Sequence, residues 1–221
     1  MFDLTLTFDN GPEPSVTPRV LDILGERGIK TTFFVIGEKL ADPVRRKLAE
    51  RAHDEGHWIG NHTYTHTSPL GQQPGHDTAE NEIGRTQRAI GDLAHPMRWF
   101  RPFGGGANLD ARLLKPSVVD YLVRNGHSCV LWNAIPRDWD DPDGWTDRAF
   151  HQCSAQAWTL IVLHDLPSGA MNHLERFLDR VAAEGARFRQ DFPPECVPIR
   201  CGEILLPIQD YVSSIEESVA Q

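Results

Sequence analysis

The chain has few cysteines, no long apolar run and no excess of basic residues. Four cysteines in 221 residues, Cys129, Cys153, Cys196 and Cys201, are too few and too scattered for a disulfide scaffold. Cys196 and Cys201 would make half of a metal knuckle, but no second pair completes it, so they read as ordinary thiols. No stretch approaches the ~18–20 apolar residues that a membrane span requires. Lys and Arg number 22 against 31 Asp and Glu, a formal charge of −9, and no basic stripe interrupts the acidic balance. That excludes nucleic acid and anionic membrane surfaces as expected partners. The amino end, Met1 to Asp9, lacks the basic start and apolar core of a secretory signal, which makes the cytoplasm the expected location. No low-complexity linker divides the chain, so one domain over residues 1–221 is expected.

What the chain does have is 40% hydrophobic residues and 10 histidines. Short β-branched or aromatic runs alternate with amphipathic stretches of helical length. The strands are expected at 3–8, 31–36, 58–61, 98–103, 128–133 and 159–164. Between them, helices are expected from Ser15 or Thr17 to Gly25 or Gly28, from Asp42-Pro43 to Gly56, and over 77–93, 117–125, 146–157 and 168–184. One strand and one helix every thirty residues or so is the rhythm of a βαβ repeat and predicts an α/β fold built on a parallel sheet, open or closed into a barrel. Residues 192–221 read as a surface strap with a frayed end.

Polar residues gather where these strands end. Asp9-Asn10 follows the first, His62 and His66 the third, Arg101 lies near the end of the fourth, Asp138-Trp139 follows the fifth, and His164-Asp165 ends the sixth. In a parallel α/β sheet those carboxyl ends share one face, where active sites are built. His62 and His66 stand at i and i+4, so a helical turn would aim both imidazoles at one ion, with Asp9-Asn10 supplying a base and a further oxygen donor. His164 is delivered by the apolar strand Leu160-Ile161-Val162-Leu163 and is either a hydrogen-bonded core histidine or a proton donor at the strand mouth. Arg101 needs a carboxylate partner, and Asp138 is the nearest candidate in type and layer. The run Gly104-Gly105-Gly106 is no phosphate cradle, because the third glycine of a dinucleotide fingerprint and a following Gly-Lys-Ser/Thr are both missing.

Taken together, Thr7-Phe8-Asp9-Asn10-Gly11-Pro12, Thr31-Thr32-Phe33-Phe34-Val35 and Gly56-His57-Trp58-Ile59-Gly60-Asn61-His62-Thr63-Tyr64-Thr65-His66 resemble the polysaccharide deacetylases of carbohydrate esterase family 4, the nodulation-type chitooligosaccharide deacetylases. Arg101-Pro102-Phe103-Gly104, Arg137-Asp138-Trp139 and Leu160 to His164 continue the likeness in order. The resemblance implies a distorted (β/α)7 barrel and hydrolysis of an N-acetyl group from an amino sugar with a divalent metal, zinc first and cobalt or nickel as alternatives. It implies Asp9 as general base, His62 and His66 as metal ligands with Asn10 beside them, and Arg101 and Asp138 as the pair orienting the base. Trp139 and Leu163 fall in the substrate groove, and His164 in the place of the general acid.

Three positions depart from the family pattern. Asn10 stands where most members have a second, metal-binding aspartate, so the ion is held without that negative charge. The residue usually found between Arg and Pro is missing after Arg101, which leaves Phe103 or Gly104 as the oxyanion donor. Ile135 replaces the first aspartate of an Asp-x-x-Asp-Trp pattern. These leave two rival expectations: a carbohydrate-binding barrel that has lost turnover through Asn10, or a small-molecule amidohydrolase or deformylase using the same mouth. The acidic chain is expected to prefer neutral or amine-bearing substrates to polyanionic ones.

Overall fold

A computed structural model of the chain describes residues 1–214. Its first strand, β1 (Phe2–Asp9), is almost wholly buried, with Leu4, Leu6 and Phe8 at 0–1% exposure. Each such side chain contributes about 1.5–3 kcal/mol of burial. Around β1 the chain lays down α1 (Thr17–Glu26), β2 (Thr32–Val35), α2 (Pro43–Asp54), β3 (Trp58–Asn61), α3 (Arg85–Ile90) and β4 (Trp99–Phe100). It continues through α4 (Pro116–Arg124), β5 (Ser128–Cys129), α5 (Trp145–Ser154), β6 (Trp158–His164), α6 (Leu174–Ala183) and β7 (Ala186–Arg189). Helix α2 starts as its sequence dictates: the Asp42 carboxylate accepts the Val44 N–H at 2.8 Å and Pro43 occupies the first turn. Helix α6 buries Leu174, Phe177, Leu178 and Val181, one stripe at helical spacing, against the sheet.

The strand order is β6-β1-β2-β3-β4-β5, parallel throughout. Strand β6 pairs with β1 from Asp3 to Asp9, while β2 and β7 divide its other side, β2 at Thr7–Asp9 and β7 at Phe2–Thr5. Beyond β5, Ala134 bridges Ile161 in parallel and draws the curled sheet back onto β6. The result is the (β/α)7-type barrel, distorted by β8 (Ile199–Arg200) and β9 (Glu203–Ile204), which add an antiparallel hairpin to β5. The sheet is therefore mixed rather than purely parallel. The hairpin belongs to the segment expected as a strap, whose Phe192, Cys196, Val197, Ile199 and Ile208 are buried. The expected frayed end, 215–221, lies outside the described residues. The helix expected over 77–93 contains a π turn at Glu80–Gly84 before α3. Among the described residues no helix is long and apolar enough to cross a membrane.

Candidate active site

Strand register brings the two ends of the chemistry together. Asp9 is the Cα partner of His164 across β1 and β6, and Asn61, which precedes His62, pairs with Phe100, which precedes Arg101. The residues that leave these strands line one cavity of about 330 Å³: Asp9, Asn10, His62, His66 and His164, with walls that include Phe103, Gly104, Trp132, Ile135, Trp139, Val162 and Leu166. Leu163 is not among them. Side chains alternate across a strand, so Val162 and His164 face the cavity while Leu163 turns the other way into the main core.

Two buried charge pairs order the site. Arg101 is fully buried, its guanidinium lying 4.1 Å over the Phe34 ring. It donates from Nη1 to Asp9 Oδ1 at 2.8 Å and to Thr7 Oγ1 at 2.7 Å. Asp138 is also fully buried, and both its oxygens are taken by His164: Oδ2 accepts the backbone N–H and Oδ1 accepts Nδ1–H, each at 2.8 Å. The expected Arg101–Asp138 partnership is therefore corrected to Arg101–Asp9 and Asp138–His164. Both alternatives satisfy the sequence; the register places Asp9, not Asp138, within reach of the guanidinium. Burial opposes a charged His164, but the Asp138 carboxylate, with Asp9 and Asp165 nearby, outweighs it and holds the imidazole above its ordinary pKa.

The two histidines converge without the expected helical turn. Thr63 and His66 adopt left-handed backbone, φ 65° and 52°, and the loop is held by Glu82, whose carboxylate accepts the N–H groups of Tyr64 and Thr65 at 2.9 Å and the Thr65 hydroxyl at 2.7 Å. His62 Nδ1–H donates to the Arg101 carbonyl at 2.9 Å, which leaves the lone pair on Nε2. His66 Nε2 lies 3.1 Å from that nitrogen, and His62 Nε2 lies 3.6 Å from Asp9 Oδ2. Burial pushes the His62 pKa down to about 3 and that of His66 to about 2, so both rings are neutral, the form that ligates metals. Beside them Asn10, at φ 73°, carries a buried Oδ1 with no hydrogen-bond partner. Among the described residues no three His, Cys, Asp or Glu side chains gather as a ligand set; the Asn10 side chain lines the same cavity as the two imidazoles. Two neutral imidazole nitrogens and one orphaned oxygen fit a divalent cation.

Other expected residues fall around the cavity. Trp139 meets the His164 ring edge-on at 4.7 Å, and Phe103 lies 4.0 Å from the His66 ring. Gly104 lies against Trp132: a Cβ there would come within 2.5 Å of the indole. Cys196 is buried and Cys201 exposed, both as free thiols. Two contributors escape a reading of sequence alone, and a third, Asp165, shows in sequence only as a polar strand-end residue without a role. Glu82 looks like a surface acid on a helix, and only its burial at 6% exposure reveals the loop it holds. Trp132 looks like strand core. Asp165 follows His164, and burial pushes its carboxyl up to about 7.

The polysaccharide deacetylase family profile matches residues 3–118. A chitooligosaccharide deacetylase of Rhizobium leguminosarum bv. phaseoli is 36% identical over 167 residues, 73% of this chain and 67% of that protein. One of Sinorhizobium fredii is 34% identical over 190 residues, 82% and 81% of the two chains. The structure of a family 4 carbohydrate esterase from Streptomyces lividans, in complex with acetate, superposes with a TM-score of 0.71 at 27% identity, covering 89% of this chain and 96% of that one. With the strand-end constellation in place and its order along the chain matched, the protein belongs to the polysaccharide deacetylase family, carbohydrate esterase family 4 of the nodulation type.

Proposed function

We propose that the protein is a metal-dependent N-deacetylase that removes an acetyl or related acyl group from an amino sugar within a chitooligosaccharide or similar glycan. One observation carries this reading: a carboxylate and an imidazole, each held by its own buried counter-charge, line one cavity with two neutral imidazole nitrogens. The names of the relatives support the substrate class. His62, His66 and Asn10 would hold the ion, zinc by ligand type, with cobalt or nickel accepted by the same donors. When bound, such a cation polarises the acyl carbonyl and acidifies water.

The chain's own residues do the rest. Asp9 accepts the proton of the attacking water through Oδ2, because Oδ1 is engaged by Arg101. Arg101 keeps that carboxylate fixed in direction. A backbone N–H at Phe103 or Gly104 meets the oxyanion. His164, with Nδ1 engaged by Asp138, presents Nε2 and donates its proton to the departing amine, without which the tetrahedral adduct reverts. Acetate release from chitooligosaccharides and simple acetamides, measured before and after chelation and with metal restored, tests the proposal. Asp9→Asn or His164→Ala turning over at the native rate would defeat the mechanism.

A further inference from the structure

The residue after the proton donor is a buried acid that the mechanism does not use. Asp165 is fully buried, yet its side chain has one polar partner: Oδ2 accepts the hydroxyl of Thr17. Oδ1 has none. A carboxyl in that state is costly to bury, so its position is informative. Because Asp9 and His164 are register partners, Asn10-Gly11 and Asp165 leave β1 and β6 side by side. Gly11 is packed so closely that a Cβ added to it would collide with both Asp165 oxygens. The Thr17 hydroxyl that donates to Asp165 also accepts the Glu13 N–H at 2.7 Å, tying the far end of the same turn. From the other side Lys39 Nζ donates to the Asn10 carbonyl at 2.7 Å, and the Ile36 N–H to the Gly11 carbonyl at 3.2 Å. The turn so enclosed has Asn10 in left-handed backbone, φ 73°, a conformation that asparagine tolerates better than most residues.

We propose that Asp165 is a positioning residue: held by Thr17 and packed against Gly11, its carboxyl group fixes the Asn10-Gly11 turn and thereby aims the Asn10 amide oxygen at the two histidine nitrogens. The proposal rests on the functional reading above only for the aim of Asn10; the hold on the turn stands on the structure itself. Asp165 does this by shape and by accepting one hydrogen bond, both of which asparagine supplies.

The test compares Asp165→Ala with Asp165→Asn by two readouts. The first is hydrogen exchange at the Ile36 and Glu13 amides, with amides of α6 as the reference for global stability. The second is affinity for Co²⁺ added alone to metal-free protein. In Asp165→Ala the two turn amides exchange at least tenfold faster relative to α6 and cobalt binds at least tenfold more weakly; in Asp165→Asn both stay within threefold of native. Should the alanine variant fail to fold, Thr17→Val removes the hydroxyl alone; because that hydroxyl is itself the Glu13 acceptor, only the Ile36 amide and the cobalt affinity are read, and both change as in Asp165→Ala. Native exchange at Ile36 and Glu13 in Asp165→Ala overturns the proposal, as does faster exchange with undiminished cobalt affinity, or equal loss in the alanine and asparagine variants. If the native protein binds no cobalt, the proposed metal-dependent function fails, and the exchange comparison still decides whether Asp165 holds the turn.

Discussion

Arg101 donates to Asp9 at 2.8 Å with its guanidinium at 0% exposure, so the carboxylate proposed as base is directed by a cation that has no contact with solvent. The same guanidinium reaches the Val130 and Leu131 carbonyls at 3.4 and 3.3 Å, which makes it part of the wall of the barrel as well as of the site.

Removing that cation has two separable consequences. Arg101→Met keeps most of the packing over Phe34 but leaves Asp9 as a buried carboxylate without its counter-charge. Breaking a buried pair from one side costs about 3–5 kcal/mol. Denaturant unfolding is expected to show a loss of that order. Deacetylation per folded molecule falls at least a hundredfold, because Asp9 loses the donor that fixes the direction of its carboxylate. A folded Arg101→Met variant with native kcat/KM would show that Asp9 needs no such partner.

The pH profile follows from Asp138 and His164. Burial favours the neutral ring, yet the charge of Asp138, with Asp9 and Asp165, leaves the imidazole above its ordinary 6.5. A raised pKa in the folded state stabilises the fold below about pH 6.5, and that contribution is lost as pH rises through the folded value. As proton donor, His164 must be charged, so kcat/KM falls on the alkaline side as this group titrates. In Asp138→Asn the alkaline limb moves about one pH unit lower, the size expected when one adjacent opposite charge is removed. The Tm also loses its dependence on this group. Rates measured from pH 5 to 9 check both; an unmoved alkaline limb would remove His164 from the role of acid.

Much of this arrangement was legible in sequence because it follows from period and position. Apolar runs fixed the strands of the sheet's interior, and polar residues one step beyond them had to share a face. What was not legible depends on three-dimensional neighbours. Strand β7, Ala-Arg-Phe-Arg, carries no buried run, since it fills only the foot of β1 beside β2. The partners of Arg101 and Asp138 could be exchanged on paper without breaking any local rule; only the register separates them. The spacing of His62 and His66 is that of a helical turn, but the buried Glu82 supplies acceptors for the loop's N–H groups and Thr63 and His66 take left-handed backbone instead. The family resemblance puts Leu163 in the groove, and strand alternation turns it away.

The cavity's shape rests on one missing methyl group. Gly104 has ordinary φ, −97°, so backbone strain does not demand glycine there. Its neighbour does: Trp132 occupies the space a Cβ would need. Gly104→Ala must push the indole or the loop into the cavity, so substrate binding suffers while the buried charge pairs stay intact. KM for a chitooligosaccharide is expected to rise about tenfold or more, an overpacking cost of 1–3 kcal/mol seen mainly in binding, with the alkaline limb of the pH profile unmoved. Native KM in this variant would show that Trp132 can retreat and is no wall of the substrate site.

Exchanging Asn10 tests an enzyme against a barrel that only binds. The unpaired amide oxygen of Asn10 can still donate to a cation, but without charge, so the bound ion gains less Coulomb energy than from a carboxylate. Asn10→Asp places a charge next to the fixed Lys39 ammonium, which favours the ionised form. Metal affinity is expected to rise at least tenfold by competition titration. Activity then discriminates between the readings. If Asn10 is a working ligand, the native protein releases acetate when saturated with zinc or cobalt, and Asn10→Asp lowers the metal concentration needed for half-maximal rate without a large change in saturated kcat. If the native chain is silent at saturating metal on a broad acetamide panel and Asn10→Asp alone turns over, the carbohydrate-binding reading replaces the deacetylase one, because the remaining machinery of Asp9, Arg101, Asp138 and His164 would have been present all along with only the ion misheld.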